Sequence, residues 1–382
     1  MLTYEQLAET FPPGDVIKEE LEERGWTQRD LADILQVQQS VVSALIKGTK
    51  PISLDLARNL AAAFGNSAQH WVNMDTAYRL NLPSEEHSAT TRRSELYRVA
   101  PVNEMVKRGW IESSTDVDVL RSRVASFYDK ESFEEIEKES LAYAARQGTG
   151  YGELTAPQRA WVYRVRKLAR AVQAQEFRAD SVTQALAKLR PLMGNSEEIR
   201  HVPRVLAECG IRLVIVEHLP QTRIDGVCVW VDGKPVIGLS LRFDRLDYFW
   251  FTLLHELGHV NNRDGISVML APLDSDLVGD KAIRSAEKSE MEQKADAFAG
   301  QNLVSPTEMD NFIARVKPMF SKVKIHGFAL RQGVHPAIVM GQLQHKGAIH
   351  WSHSRKFLVK VREIVTSSAL TDGWGQILPN FS

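Results

Sequence analysis

Hydrophobic residues follow two different periods along the chain. Over residues 12–83 they recur at steps of three and four, and Gly25, Gly48 and Gly65 separate the periodic segments. Over residues 212–240, runs of β-branched and aromatic residues replace this spacing. We therefore predict a compact module of short helices at the start of the chain and a small sheet further along it.

The residues between these two patterns predict a connecting region. Residues 84–91 are polar and follow Pro83, which is typical of a linker, and the charge-rich sequence beyond them has mostly helical spacing up to about residue 200. Residues 147–152 include three glycines and predict a flexible break. The predicted segments are thus 1–83, 84–200, 201–310 and 311–382.

A hairpin and a long helix are predicted beyond residue 210. Asp232-Gly233 separates two strand-like runs and suits a two-residue turn, which requires positive φ at both central positions. From Asp244 helical spacing returns, in Leu246, Trp250, Leu253, Leu254 and Leu257. The helix carries the sequence His255-Glu256-Leu257-Gly258-His259 and should pack against the small sheet.

This sequence is a candidate zinc site. Residues four apart share one face of a helix, so His255 and His259 can direct both imidazoles at one ion. Zinc lowers the pKa of a bound water, and Glu256 can then accept a proton during attack on a peptide carbonyl. The alternative is two surface histidines on an unrelated helix. The apolar helix, the hairpin before it and the acidic helix after it favour zinc.

A carboxylate further along the chain should complete the ligand set. Glu290 and Glu292 both lie on a predicted helix, and Glu292 is favoured because Asp296 follows it by one turn. Asp296 can then accept the free ring proton of a liganding histidine. A solvated amphipathic helix with its apolar residues in the core is compatible with the same sequence.

With these residues placed, the segment from Gly210 to Pro306 resembles the ImmA/IrrE-type zinc metallopeptidases. The resemblance lies in the order of strand, hairpin, HExxH helix and E-x-x-A-[ND]-x-F-A motif. It implies a zincin-like domain and an endopeptidase that cuts a regulatory protein, such as a DNA-binding repressor. Asp296 stands where asparagine is commoner, and Leu303-Val-Ser-Pro306 replaces a more apolar ending. Neither departure removes a ligand.

Overall charge limits the kind of nucleic-acid contact the chain can make. The formal net charge is −1, so binding through bulk positive charge is excluded and any DNA contact must be local. No signal peptide or membrane-spanning run is found, which predicts a cytoplasmic protein without a membrane partner. Cys209 and Cys228 form no CxxC pair and are expected to be buried small hydrophobes.

Two short helices in the first module predict a helix-turn-helix. Thr27 is a favourable N-cap for the first helix, and the second starts near Gln38. Leu31, Ala32, Leu35, Val42 and Leu45 should form their shared core. No Asp or Glu occurs from Ile34 through Leu54. The predicted DNA contacts are Gln38, Gln39, Ser40 and Ser43 to base edges, Lys47, Thr49 and Lys50 to phosphates, and Gln28 at a helix start.

Residues Pro12 to Leu82 resemble the HigA-type antitoxins and the wider phage-repressor (XRE) helix-turn-helix family. The resemblance rests on Thr27-Gln28, Leu31-Ala32, Ser40-Val-Val-Ser43 and Gly48-Thr-Lys-Pro51. Gln36 stands where the family usually has glycine in the turn, at a modest strain cost. A plain helical bundle with surface glutamines is the alternative. One copy carries few cations for contact with phosphates. We therefore expect a homodimer to bind a two-fold operator.

The C-terminal region reads as two further helices around Gly333. Pro336 lies at the start of the second helix. The pair is either another helix-turn-helix or a packing element. The packing element is favoured because few cations, which a DNA-binding element would need, follow in the sequence. The region also contains scattered histidines whose spacing fits no tight ligand pattern, so surface or core positions are expected. They are His326, His335, His345, His350 and His353.

Together these patterns predict an α+β, mostly α protein: a helix-turn-helix bundle, a helical middle region, a zincin-like domain with a small sheet, and a helical C-terminal region. The predicted function is an operator-binding regulator or antitoxin fused to a zinc endopeptidase. Its substrate would be a partner repressor, a toxin partner or the protein itself. The alternative is a non-hydrolytic antitoxin or sensor that uses the peptidase fold as a scaffold. Two questions stay open: whether Arg263 or a histidine stabilises an oxyanion, and whether the hairpin edge near Val236 binds substrate as an added strand.

Overall fold

The computed structural model divides the chain into two compact units, Met1–Thr91 (unit 1) and Arg92–Ser382 (unit 2). It describes residues 11–82, 85–138, 154–265, 273–275, 289–350, 357 and 359–375. The predicted break at residues 147–152 lies outside the described residues. Within them, no helix combines the length and the apolar character needed to cross a membrane.

Unit 1 is a bundle of short helices around one core. The helices are α1 (Pro13–Arg24), α2 (Gln28–Leu35), α3 (Gln39–Ile46), α4 (Leu54–Phe64) and α5 (Ala68–Leu80). The five residues predicted for the α2–α3 core are all buried, together with Ile17, Leu60 and Trp71 from the other helices. Burial of one apolar face from each helix stabilises the bundle, since such short helices are marginal alone.

The turn between α2 and α3 is fixed by its ends. Thr27 forms a capping box with Asp30, in which each side chain bonds the other residue's backbone N–H. Gln36 adopts a left-handed conformation with φ 55°, and its N–H donates to the carbonyls of Ala32 and Asp33. The strained turn predicted from the missing glycine is therefore present, with glutamine in a conformation that favours glycine.

The linker predicted at residues 84–91 is wrong for most of its length. Helix α6 spans Glu85–Val99 and includes the boundary between the two units. Polarity suggested a loop, but residues 85–99 contain neither glycine nor proline and include three Glu and three Arg. These residues have good helix propensity, which outweighs the polar composition.

Unit 2 places a five-stranded sheet among helices. Its strands are β1 (Arg212–Ile215), β2 (Ile224–Val231), β3 (Lys234–Leu239), β4 (Leu273–Ser275) and β5 (Leu370–Thr371). Its helices beyond α6 are α7 (Val102–Lys107), α8 (Val117–Phe127), α9 (described over residues 133–138), α10 (Ala156–Ala169), α11 (Ser181–Leu189), α12 (Val202–Glu208), α13 (Leu246–Asn262), α14 (Glu290–Leu303), α15 (Pro306–Val316), α16 (Lys322–Gln332), α17 (Pro336–His345) and α18 (Arg362–Thr366), with 3₁₀ turns at Arg190–Gly194 and Ser196–His201.

The strand order is β4-β2-β3-β1-β5. The predicted hairpin is confirmed: Asp232 and Gly233 both have positive φ, and Val231 pairs with Lys234 in the antiparallel β2–β3 ladder. Strand β1 pairs in parallel with β3, from Arg212 opposite Val236 onward. Val236 therefore lies in a strand with neighbours on both sides, and the suggestion that this part of the hairpin is an open edge is wrong.

Both faces of the sheet are buried because side chains alternate between two cores. Leu213, Ile215 and Ile237 face the core that contains α13. Val214 and Val236 face the core that contains α10. Alternation with a period of two directs successive residues to opposite faces. Helix α13 is consequently held against one face of the sheet, as the sequence predicts.

The C-terminal helices extend the core around α13. Gly333 ends α16 with φ 62°, and Pro336 occupies the first turn of α17, as predicted. Most of α17 is buried, and it packs against α13 as well as α16. This packing places α17 beside the helix that carries the HExxH sequence.

Candidate metal centre and nucleic-acid interface

Helix α13 buries the whole HExxH sequence. His255, Glu256 and His259 are fully buried, and apolar residues occupy most of the remaining helix surface. Ionisable side chains are rarely found fully buried unless they are paired or bind a metal. Three such side chains in the middle of a core helix therefore indicate a functional site and exclude ordinary surface positions.

The C-terminal end of α13 supplies a partner for His259. Arg263 ends the helix in a left-handed conformation with φ 58°. The chain turns back there, and Asp264 Oδ2 lies 2.9 Å from His259 Nδ1. The indole N–H of Trp230 donates to the Asp264 carbonyl at 2.9 Å, which ties this turn to strand β2.

Helix α14 supplies the carboxylates that face His255. The hydroxyl of Ser289 accepts a bond from the Glu292 N–H, so Glu292 lies in the first turn. Glu292 Oε2 is 3.2 Å from His255 Nε2, and Asp296 Oδ1 is 2.9 Å from His255 Nδ1. Glu290, the other candidate, is exposed and pairs with Lys294.

Close packing of α13 and α14 depends on Gly258. A Cβ atom at this position would lie 3.1 Å from the Ala295 Cα and 3.3 Å from the Phe298 side chain. Contacts this short leave little room for any larger residue. The glycine inside the HELGH sequence therefore lets α14 bring Glu292 and Asp296 up to the histidines.

Three side-chain atoms converge on one point. His255 Nε2 and His259 Nε2 are 3.1 Å apart, and Glu292 Oε1 is 3.7 Å from His259 Nε2. One potential ligand atom from each of His255, His259 and Glu292 lies within 4.8 Å of the others, in the only such group found among the described residues. The structure thus brings together the three residues that the sequence predicts as metal ligands.

The chemistry of these donors fits zinc. A carboxylate only accepts, so His259 donates its Nδ1 proton to Asp264, and the Asp296 carboxylate lies 2.9 Å from His255 Nδ1. In neutral rings that carry their proton on Nδ1, both Nε2 lone pairs point toward the same place, beside a carboxylate. Three negative or electron-rich donors at such distances repel each other unless a cation lies between them. Two imidazoles and one carboxylate are a common donor set for zinc with an open position.

Glu256 lies beside this group, where β2 passes the helix. A Cβ atom added to Gly226 would overlap Glu256 Oε1 and would lie 3.0 Å from the Thr252 methyl group. A larger residue at this crossing would displace the Glu256 carboxylate from the place it occupies. Nothing local to the strand marks the contact of Gly226 with α13, so its position is visible only in the structure.

Asp264 was also missed. An acidic residue five positions after the second histidine is a visible sequence signal, but its use depends on the left-handed turn at Arg263. Arg263 itself is exposed. His326, His345 and His350 are exposed as well, while burial lowers the pKa of His335. His353 lies outside the described residues.

The predicted DNA-contacting residues of unit 1 surround the start and end of α3. Gln38, Gln39 and Ser40 are exposed at its N-terminus, and Ser43 is half-buried one turn later. Spacing of four residues places Gln39, Ser43 and Lys47 along one stripe of the helix. Among the other predicted DNA-contacting residues, Thr49 and Lys50 are exposed and Gln28 is half-buried.

Two family profiles match separate segments of the chain. The sequence profile of the helix-turn-helix family matches residues 17–71, and that of the IrrE N-terminal-like domain matches residues 208–323. Virulence-associated protein I of Dichelobacter nodosus is 35% identical over 75 residues, which make up 19% of this chain and 69% of that protein. The uncharacterized HTH-type transcriptional regulator YddM of Escherichia coli (strain K12) is 32% identical over 68 residues, 18% of this chain and 72% of that protein.

Two solved structures each match 19% of this chain. An addiction module antidote protein of the HigA family from Coxiella burnetii is 30% identical, covering 19% of this chain and 78% of that chain, with a TM-score of 0.18. The Pseudomonas aeruginosa antitoxin HigA, solved with the higBA promoter, is 32% identical and covers 19% of this chain and 79% of that chain, with a TM-score of 0.18. From the sequence matches, the chain belongs to the helix-turn-helix family.

The two carboxylates that hold the histidine Nδ1 atoms should control metal affinity. We predict that Asp264→Ala and Asp296→Ala each weaken zinc binding about 10- to 100-fold, because the liganding ring loses its orientation and part of its basicity. Competition with a chromophoric chelator measures the affinity. Glu290→Ala, on the exposed side of α14, is the control and should leave zinc affinity unchanged. Equal affinities in all four proteins would contradict these assignments.

Proposed function

We propose that this protein is a zinc-dependent endopeptidase joined to an operator-binding helix-turn-helix module. One observation carries the peptidase half: each of the two histidines has a carboxylate oxygen 2.9 Å from its Nδ1 atom, and their Nε2 atoms lie 3.1 Å apart beside Glu292. A carboxylate beside Nδ1 is characteristic of histidines that bind a metal, whereas a histidine with a structural role does not need one. The match to the IrrE N-terminal-like domain over residues 208–323 supports the same assignment.

His255, His259 and Glu292 would hold the zinc ion. When bound, zinc lowers the pKa of a water ligand and polarises a carbonyl oxygen. Glu256 adjoins the ligands on the same helix and acts as the general base. It accepts a proton from the water whose oxygen attacks the peptide carbonyl, and it returns a proton to the amine when the C–N bond breaks. Gly226 keeps the space that this carboxylate occupies.

Operator binding would be the task of unit 1. The polar start of α3 would read base edges, with glutamines suited to bidentate contact with adenine, and Lys47 and Lys50 would contact phosphates. With a net charge near zero, one copy offers few phosphate contacts, so we propose a homodimer on a two-fold site in the cytoplasm. HTH-type regulators and an antitoxin solved with a promoter among the similar proteins support this role.

The substrate would be one regulatory protein and not proteins in general. A peptidase fused to a DNA-reading module is concentrated at its own operator, so a partner repressor, a toxin partner or a second copy of the chain is the natural target. A non-hydrolytic antitoxin or sensor is the competing function. The buried Glu256 beside the ligand set argues for hydrolysis, because a binding scaffold does not need a base there.

Glu256→Gln separates the two functions. We expect this variant to bind zinc as the wild type does, because Glu256 is not a ligand, while hydrolysis of a candidate substrate falls at least about 10²- to 10⁴-fold. The proteins encoded beside this gene, and the chain itself, are incubated with each enzyme form and cleavage is followed by mass spectrometry. Zinc-loaded wild type that cleaves none of them would favour the scaffold function.

Sequence reading by α3 is testable with a double substitution. Gln38→Ala with Gln39→Ala should reduce the preference for the operator over unrelated DNA, because each lost bidentate contact removes about 1–3 kcal/mol of discrimination. Gln69→Ala, at an exposed position of α5, serves as the control. Fluorescence anisotropy with both DNAs at fixed salt gives the two affinities. Unchanged selectivity in the double variant would rule out α3 as the recognition helix.

A further inference from the structure

A cavity of about 210 Å³ lies behind the metal centre, among α13, α14 and α17. Its wall includes Asp296 and Phe251 but none of the three predicted ligands and not Glu256. Asp296 contacts His255 on the Nδ1 side of the ring, whereas the ligand atoms converge on the Nε2 side. The cavity therefore adjoins the rear of His255 and is separate from the place where a peptide would meet the zinc.

Most of the cavity wall is apolar. The apolar side chains come from all sides of the space: Phe251, Leu303, Val304, Pro306 and Ile338. Among the acidic residues of the wall, Asp247 is paired with Arg245 at 2.6 Å, and Asp296 Oδ1 lies 2.9 Å from His255 Nδ1. Both carboxylates thus have a basic side chain beside them, and the interior offers an uncharged ligand mainly dispersion contacts and burial of apolar area.

The size of the cavity indicates the kind of occupant. A dry apolar cavity of about 150 Å³ accommodates benzene, so the present space fits a fused or substituted aromatic ring. Exposed Gln301, His345 and Lys346 line its outer part, which gives a small molecule a route from solvent. Pockets of mainly apolar lining with a few polar groups at one end are typical of small-molecule sites.

Two contacts connect the cavity wall to the metal ligand. Asp296 holds the Nδ1 atom of His255 at 2.9 Å, and the ring of Phe251 lies 6.2 Å from the His255 ring, centre to centre. A molecule packed against Asp296 and Phe251 restricts both side chains to the conformations that orient His255. Ligand binding and metal binding would then be thermodynamically coupled, and each would increase the affinity of the other.

We infer that this cavity binds an apolar molecule of about one or two aromatic rings and that its occupant strengthens metal binding through Asp296 and Phe251. The first half concerns the cavity alone. The second half rests on the zinc site proposed above. A small apolar molecule bound in this cavity would then regulate the peptidase without contacting the substrate.

Gly300 provides a direct way to fill the cavity. It lines the space from α14, and a Cβ atom added there meets no other atom within 4 Å. A Cβ atom therefore fits here without moving the backbone, and we expect Gly300→Leu to extend into the cavity and Gly300→Ala to fill a smaller part of it. Gly327→Leu is the matched control, because Gly327 lies within α16, does not line the cavity, and would place its Cβ only near Arg331 at 3.8 Å.

Indole is the probe for binding, measured by isothermal titration calorimetry on the metal-free full-length chain. We expect saturable 1:1 binding to the wild type and to Gly327→Leu, at least tenfold weaker binding to Gly300→Leu, and an intermediate value for Gly300→Ala. Circular dichroism confirms that each variant is folded. Absence of saturable binding to the wild type, or equal binding to Gly300→Leu, would overturn the assignment of the cavity.

The coupling is measured by zinc competition with and without saturating indole. Indole should raise zinc affinity about three- to tenfold in the wild type and in Gly327→Leu, and should leave it unchanged in Gly300→Leu. An unchanged zinc affinity in indole-saturated wild type would overturn the coupling. Failure of the wild type to bind zinc at all, with indole binding still lost in Gly300→Leu, would refute the proposed metal site while supporting the cavity.

Discussion

The contacts of the histidine Nδ1 atoms with Asp296 and Asp264 are the interactions on which the rest of the site depends. Asp264 accepts a hydrogen bond from His259, Asp296 Oδ1 lies 2.9 Å from His255 Nδ1, and the two buried Nε2 atoms lie on the opposite side of the rings, beside a third donor, Glu292. An arrangement of this kind is costly in an apolar core without a cation. The surrounding fold stabilises it from two independent directions, α14 and the turn after α13.

Those directions are set by packing constraints at two glycines. Gly258 admits α14 close to α13, so that one helix supplies both Glu292 and Asp296. Gly226 admits the Glu256 carboxylate beside β2. The sheet in turn keeps α13 in place, because its strands present alternate side chains to two cores. Loss of either glycine would therefore disturb the positions of the proposed ligands and of Glu256 more than the overall fold.

Local sequence signals were sufficient where local geometry decides the structure. The four-residue spacing of His255 and His259, the Asp232-Gly233 turn and the Thr27 cap each depend on a few consecutive residues, and the structure has all three arrangements. The linker predicted at residues 84–91 is wrong because helix propensity outweighs polar composition there. Gln36 stands where the resembling family usually has glycine, and the turn forms with this glutamine in a left-handed conformation.

Features that depend on distant residues could not be predicted in this way. Strand β1, the parallel partner of β3, precedes the hairpin in the chain, and no local signal marks the pairing of these two strands. The sequence therefore leaves Val236 as a possible edge position. Asp264 reaches His259 only through the left-handed turn at Arg263. The cavity behind His255 requires α14 and α17 to meet beside α13, although residues 304–335 separate those two helices along the chain.

The central claim is that His255, His259 and Glu292 bind one zinc ion, and anomalous diffraction tests it most directly. Crystals of the full-length chain grown with zinc are measured above and below the zinc absorption edge. The account predicts one edge-dependent peak within about 2.0–2.2 Å of both Nε2 atoms and a Glu292 oxygen. Absence of a peak at this position, with zinc present in the crystal, would contradict it.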